Sequence, residues 1–217
     1  MSKFNAVIFD LDGTLLDTLD DIADSVNAAL RRMNFPIHSI EMYKTMVGDG
    51  VANLALRALP EGHADEDTVK QCVELVREEY AQRWSAKTRP YHGIPDLLHA
   101  LDKRGIKKAV LSNKPDDFTK LSIAYFLPEW TFEAVIGVSP EVLKKPDATA
   151  ALDIVRLMGV PPSSCIFLGD TNVDMLTAVA ACMHPVGALW GFRDAAELKA
   201  NGARALIKHP SELLHYF

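Results

Sequence analysis

The chain of 217 residues carries only three cysteines, Cys72, Cys165 and Cys182, and no C-x-x-C pair. Their odd number and wide spacing exclude a disulfide framework and give no zinc pattern, which fits a reducing compartment. Long hydrophobic runs are missing too. Near the N-terminus the apolar run Ala6 to Phe9 spans four residues before charges interrupt it, far short of a signal-peptide core or a membrane span. The expectation is a soluble, cytoplasmic protein without a membrane partner. Positive charge is scarce: 23 Lys and Arg against 29 Asp and Glu leave a formal charge of −6. No chain-wide basic field therefore draws in nucleic acid or an anionic surface, and any anionic ligand is met locally. The seven histidines show no metal-type spacing and are read as surface or packing residues. Internal repeats and Gly/Ser linkers do not occur.

What is present is a hydrophobic content of 48%, enough for a sizeable core in one domain with an insertion. The acids are unevenly placed. Asp10, Asp12, Asp17, Asp20, Asp21 and Asp24 fall within fifteen residues, and no Lys or Arg lies between Lys3 and Arg31. Asp17, Asp20, Asp21 and Asp24 read as the solvated face of a first helix, whereas Asp10 and Asp12 come too early for helix-start acids.

Short apolar runs at Ala6 to Phe9, Ala109 to Leu111, Phe132 to Val138, Cys165 to Leu168, Pro185 to Leu189 and Ala203 to Ile207 read as strands. Most alternate with helical stripes, such as Ile94, Leu97, Leu98 and Leu101, the stripe Ala150, Leu152, Val155 and Leu157, or Val173, Leu176, Val179 and Ala180. This rhythm predicts an α/β fold with a doubly wound parallel sheet. Between residues 17 and 85 the rhythm breaks. Leu19, Ile22, Ala23, Val26, Ala29, Leu30 and Met33 form one helical stripe closed by Pro36, and Val69, Cys72, Val73, Val76 and Tyr80 form another. An all-helical domain over 17–85 is expected as an insertion in a core of residues 1–16 and 86–217.

Ligands of an open parallel sheet bind beyond the carboxyl ends of its strands, and four segments carry chemistry there. In Asp10-Leu11-Asp12-Gly13-Thr14 the two acids, two residues apart on extended chain, point the same way. Such a pair can divide labour between nucleophile or metal ligand and acid or base; a solvated turn is the plainer reading. Asp170 ends another strand and Asp174 follows one helical turn later. Capping by Thr171 or Asn172 accounts for one acid there, but not for acids at two strand ends. Grouped hard oxygen donors suit Mg²⁺. Lys145 precedes Pro146, placed in a first helical turn, and reads either as a loop charge or as a phosphate ligand and counter-charge. Ser112 and Asn113 are turn residues or neutral phosphate donors.

Taken together, FDLDGTLLDT, LSNKP, KKPD and FLGDTNVD resemble the haloacid dehalogenase (HAD) superfamily, and MVGDG and ALWGFRDAAEL add a likeness to its phosphoglycolate phosphatase group. The resemblance implies a HAD-type Rossmann-like core with a helical C1 cap, and an Mg²⁺-dependent phosphatase acting on a small phosphate ester, most simply 2-phosphoglycolate. It implies Asp10 as nucleophile and Asp12 as general acid and base, with Lys145 completing the catalytic set. Metal binding falls to the Asp10 carboxylate, the Asp12 backbone carbonyl, Asp170 and Asp174. The phosphoryl group falls to Ser112, Asn113, Lys145 and the backbone near Leu11 and Gly13; Gly48, Asp49 and Gly50 are the candidate cap loop toward the leaving group, a plain inter-helix turn being the other reading. Position 148 departs from the family pattern, with Ala where a second proline is frequent.

Other readings remain. A sugar-phosphate phosphatase, a pyrophosphatase or a β-phosphoglucomutase-like mutase shares every core residue. A true dehalogenase leaves Asp12 without a role, and a phosphonate hydrolase needs a cap lysine for a Schiff base, for which Lys44 is available but lies in surroundings that do not match. A non-catalytic phosphate sensor is the reading from another class. The chain is expected to act as a monomer or homodimer.

Overall fold

Apolar runs become strands here because helices cover both of their faces. The computed structural model describes residues 4–217 and divides into two compact units, Met1–Leu16 with Pro90–Phe217, and Asp17–Arg89.

The second unit is built on helices α1 (Leu19–Arg32), α2 (Ile40–Met46), α3 (Val51–Ala58) and α4 (Glu66–Arg83). Ile22, Ala23, Val26, Ala29 and Leu30 of α1 and Cys72, Val76 and Tyr80 of α4 are buried, and the two helices pack together. The chain leaves α1 at Asn34, two residues ahead of Pro36, with φ of 59°. There the amides of Asn34 and Phe35 donate to the carbonyls of Arg31 and Leu30, a Schellman closure in which Asn takes the left-handed position. Asp21 corrects the sequence reading. It is 1% exposed, and its carboxylate accepts from the amides of Lys87 and Thr88 at 3.0 and 2.8 Å and from the Thr88 hydroxyl at 2.7 Å. Those bonds hold residues 87 and 88 to α1, so the unit runs through Arg89 where the sequence suggested 85.

The first unit contains β1 (Ala6–Phe9), β2 (Lys107–Pro115), β3 (Ala134–Val138), β4 (Cys165–Gly169), β5 (His184–Ala188) and β6 (Ala205–Ile207). They lie side by side as β3-β2-β1-β4-β5-β6, each neighbouring pair parallel. The helices are α5 (Ile94–Lys103), α6 (Asp116–Phe126), α7 (Thr149–Met158), α8 (Asn172–Ala180) and α9 (Ala195–Ala200). Alternation along β1 splits the core. Val7 and Phe9 pack with Ile94, Leu97, Leu98 and Leu101 of α5, while Ala6 and Ile8 pack with Ala151, Ile154, Val155 and Met158 of α7. Because β1 has a hydrophobic layer on each face, it carries no polar residue.

Two helical stripes read from sequence are rotated. In α8 the buried residues are Val173, Asp174, Met175, Thr177 and Ala178, whereas Leu176 and Val179 are 40% and 51% exposed. In α7, Ala150, Ala151, Ile154, Val155 and Met158 face inward, and Leu157 is exposed. Asp174 explains the α8 case, because a helix that turns this acid inward must turn Leu176 out. Pro146 is also displaced from its expected place, since α7 begins only at Thr149.

The strand order reverses on the two sides of β1, which makes the carboxyl edge between β1 and β4 the topological switch point where ligands of such sheets bind. Asp10 leaves β1 and Asp170 leaves β4 at that edge.

Candidate active site

Asp10, Asp170 and Asp174 meet there, with one carboxylate oxygen of each lying within 4.8 Å of the others. All three are buried, Asp170 and Asp174 completely. β1 and β4 are adjacent and in register through Phe9 and Leu168, so the residues just beyond their ends come out side by side. Asp174 is supplied by the first turn of α8. Its Oδ2 accepts from the Thr171 amide and hydroxyl at 3.0 and 2.7 Å, while Oδ1 accepts from Lys145 Nζ at 2.6 Å. One carboxylate thus caps a helix and faces the site. The capping role and a place beside Lys145 are therefore compatible in this one residue.

Lys145 is 2% exposed, and its ammonium also lies 2.9 Å from Asp10 Oδ1. Lys144 points to solvent, which settles which lysine of the pair turns inward. Asn113 holds Lys145 in place: its Oδ1 accepts from the Lys145 amide at 2.8 Å and its Nδ2 donates to the Lys145 carbonyl at 3.1 Å. That side chain acts on the lysine's backbone. Ser112 Oγ accepts from the Lys114 amide at 3.2 Å, which leaves its own proton to donate. Both Ser112 and Asn113 belong to the irregular end of β2, where its register with β3 shifts between Leu111 and Pro115.

The electrostatics follow from crowding. Burial, then the neighbouring charge of Asp174, pushes Asp10 up to about 7 against the opposing pull of Lys145. Burial and the charges of Asp10 and Asp174 hold Asp170 well above the ordinary carboxylate range. Burial opposes the charge on Lys145, but Asp10 and Asp174 outweigh it and hold the ammonium above its usual value. Three ionised carboxylates and one ammonium sum to −2. A hard divalent cation matches both that deficit and the oxygen donors, so the residues fit Mg²⁺.

Asp12 stands apart from the trio. Its carboxylate pairs with Lys114 Nζ at 2.8 Å, so any part of Asp12 in a metal site is its backbone carbonyl. The Leu11 amide donates to Asp10 Oδ1 at 2.7 Å and the Gly13 amide to the Leu16 carbonyl at 2.9 Å. Both amides serve the turn in this structure, and neither is left over for a phosphoryl group. Gly48, Asp49 and Gly50 lie in the other unit, between α2 and α3, where Asp49 pairs with Arg57, whose Nη1 also donates to the Met46 carbonyl at 2.8 Å.

Residues 7–188 match the family described as haloacid dehalogenase-like hydrolase. The chain belongs to that family. Among curated relatives of this hydrolase, a phosphoglycolate phosphatase of Pseudomonas putida is 33% identical over 96% of the chain and 78% of its own length. Another, from Psychrobacter arcticus, is 29% identical over 97% and 94%. A crystal structure of a predicted phosphoglycolate phosphatase from Haemophilus somnus superposes with a TM-score of 0.91 at 26% identity, covering 99% and 98% of the two chains.

Sequence reasoning passed over some residues of the hydrolase site. Lys114 lies inside the LSNKP segment, but its reach to Asp12 depends on how β2 ends. Thr14 and Phe192, which bond Asp170 from two sides, could have been suspected only from the DGT and WGF strings. No helix among the described residues is long and apolar enough to cross a membrane.

Proposed function

We propose that this hydrolase is an Mg²⁺-dependent phosphatase for a small phosphomonoester, 2-phosphoglycolate, acting through an aspartyl phosphate on Asp10. The observation that carries the reading is the buried trio Asp10, Asp170 and Asp174 gathered around Lys145. A carboxylate attacks a dianionic phosphate only where both charges are offset; Lys145 supplies one positive charge, and the carboxylates around it are the donors that would hold a divalent cation supplying the rest.

Asp10 Oδ1 already accepts from Leu11 and Lys145, so Oδ2 is assigned to attack phosphorus. The bond from phosphorus to the leaving oxygen breaks as Asp12 gives that oxygen a proton. Asp12, now ionised, takes a proton from water as the water oxygen bonds to phosphorus and the bond from phosphorus to Asp10 Oδ2 breaks; inorganic phosphate leaves, Asp10 is restored and Asp12 is again protonated. Lys145 and the Ser112 hydroxyl steady the phosphoryl oxygens, with Asn113 acting through Lys145. Asp10, Asp170, Asp174 and the Asp12 carbonyl would hold Mg²⁺, which supplies further charge neutralisation. The choice of 2-phosphoglycolate is supported by the names of relatives that align along nearly the whole chain.

The test is a panel of small phosphate esters assayed with Mg²⁺ and with chelator, read as kcat/KM. Phosphate release that needs Mg²⁺ and is fastest with 2-phosphoglycolate is expected. No Mg²⁺-dependent release from any ester overturns the phosphatase, a sugar phosphate ranking first overturns only the substrate, and isomerisation of a sugar phosphate without release points to a mutase.

A further inference from the structure

The reaction above uses neither Thr14 nor the segment Trp190-Gly191-Phe192 that follows β5, yet both close on Asp170. The Thr14 hydroxyl donates to Asp170 Oδ1 at 2.8 Å, and the Phe192 amide donates to Oδ2 at 2.8 Å. Each carboxylate oxygen therefore has one fixed donor and keeps lone-pair capacity for another partner. Two glycines allow this closeness. A Cβ on Gly191 would overlap the Asp170 side chain, and one on Gly13, whose φ is 84°, would overlap its Oδ2 and come within 2.8 Å of the Phe192 ring.

The clamp is itself anchored. Trp190 Nε1 donates to the Thr14 carbonyl at 3.0 Å, which ties the segment after β5 to the turn after β1. Upstream, the Leu189 amide donates to the Ile207 carbonyl at 2.9 Å. Downstream, Asp194 caps α9 by accepting from the Glu197 amide at 2.8 Å. Thr14 is wholly buried and Phe192 is 9% exposed, so the donors are held by packing as well as by their bonds. Two chain segments distant in sequence thus fix one carboxylate.

We infer that Thr14 and the Trp190–Phe192 segment are positioning residues that lock the orientation of Asp170 and thereby set the affinity of this hydrolase for its divalent cation. The inference rests on the reading of Asp170 as a metal ligand. A ligand held in one pose has no rotamers left to lose when the ion arrives, and partners that orient metal ligands are worth about 10- to 100-fold in affinity. A segment that serves packing alone has no such effect.

The test is Mg²⁺ binding to the full chain by titration calorimetry, with the melting temperature measured in chelator alongside it. Thr14→Val keeps the side-chain shape and loses the donor; it is expected to weaken Mg²⁺ by about 10-fold, and Thr14→Ser to restore most of the affinity. Trp190→Phe, which acts one bond further out, is expected to give a smaller loss in the same direction. It stands in for Thr14→Val if that variant does not fold. Wild-type affinity in Thr14→Val, or a lowered metal-free melting temperature with affinity unchanged, overturns the inference and leaves the metal site standing. If the wild-type chain binds no Mg²⁺, the metal reading fails and takes the inference with it.

Discussion

Lys145 is the residue on which most of the site depends, because one buried ammonium faces both Asp10 and Asp174. Removing one partner of a buried ion pair strands the other, at about 3–5 kcal/mol. Lys145→Met is therefore expected to lose stability of that order in chelator, measured by urea unfolding; a variant as stable as wild type would mean that the acids are relieved by protonation alone. Asp12 belongs to a different pair. Its carboxylate is held by Lys114 and stands outside the trio, so Asp12→Ala is expected to lose turnover while Mg²⁺ binding largely survives. Metal affinity falling as far as in Asp170→Ala would contradict that division. The meeting of Asp10, Asp170 and Lys145 at one sheet edge was legible from strings around strand ends. Lys114 was not, because its pairing depends on the irregular close of β2, and Asp21 was misread because charge pattern alone does not reveal that Thr88 returns to bond it.

Helix α8 carries the same lesson at the scale of an element. Its apolar residues can be drawn into more than one stripe, and the choice is made by Asp174, which has to reach Thr171 and Lys145 at once. The inward face then contains Met175 and Ala178. Met175→Ala is expected to cost about 2–5 kcal/mol, whereas Val179→Ser on the outer face stays within about 0.5 kcal/mol. Chemical denaturation of the two variants checks this, and the reverse ranking would restore the stripe drawn from periodicity. Strands were easier to read than helix faces. β1 and β4 are buried on both sides, so their runs are unbroken, but the order that sets them side by side is a property of the whole sheet.

Across the whole molecule the formal charge of −6 looks ill-suited to an anionic substrate, and the site explains how the two are reconciled. The acids gathered at the sheet edge argue against an anion bound without a metal. They also set a pH dependence. Asp10 titrates near 3.8 when unfolded and is pushed up to about 7 in the metal-free fold. The folded chain therefore holds a proton that the unfolded chain has released across that window, and metal-free stability contributed by Asp10 declines as pH rises from about 4 to about 7. Mg²⁺ competes with that proton, so the rise in melting temperature on adding Mg²⁺ is expected to be larger at pH 7.5 than at pH 5.5. Equal shifts at the two pH values would remove Asp10 from the metal's neighbourhood.

The most direct measurement is acid quenching of the protein during turnover with 2-phosphoglycolate and Mg²⁺, followed by peptide mass spectrometry. A phosphoryl group is expected on the peptide containing Asp10, absent when chelator replaces Mg²⁺ and absent in Asp10→Asn. Phosphate release that continues in Asp10→Asn at the wild-type rate would contradict it.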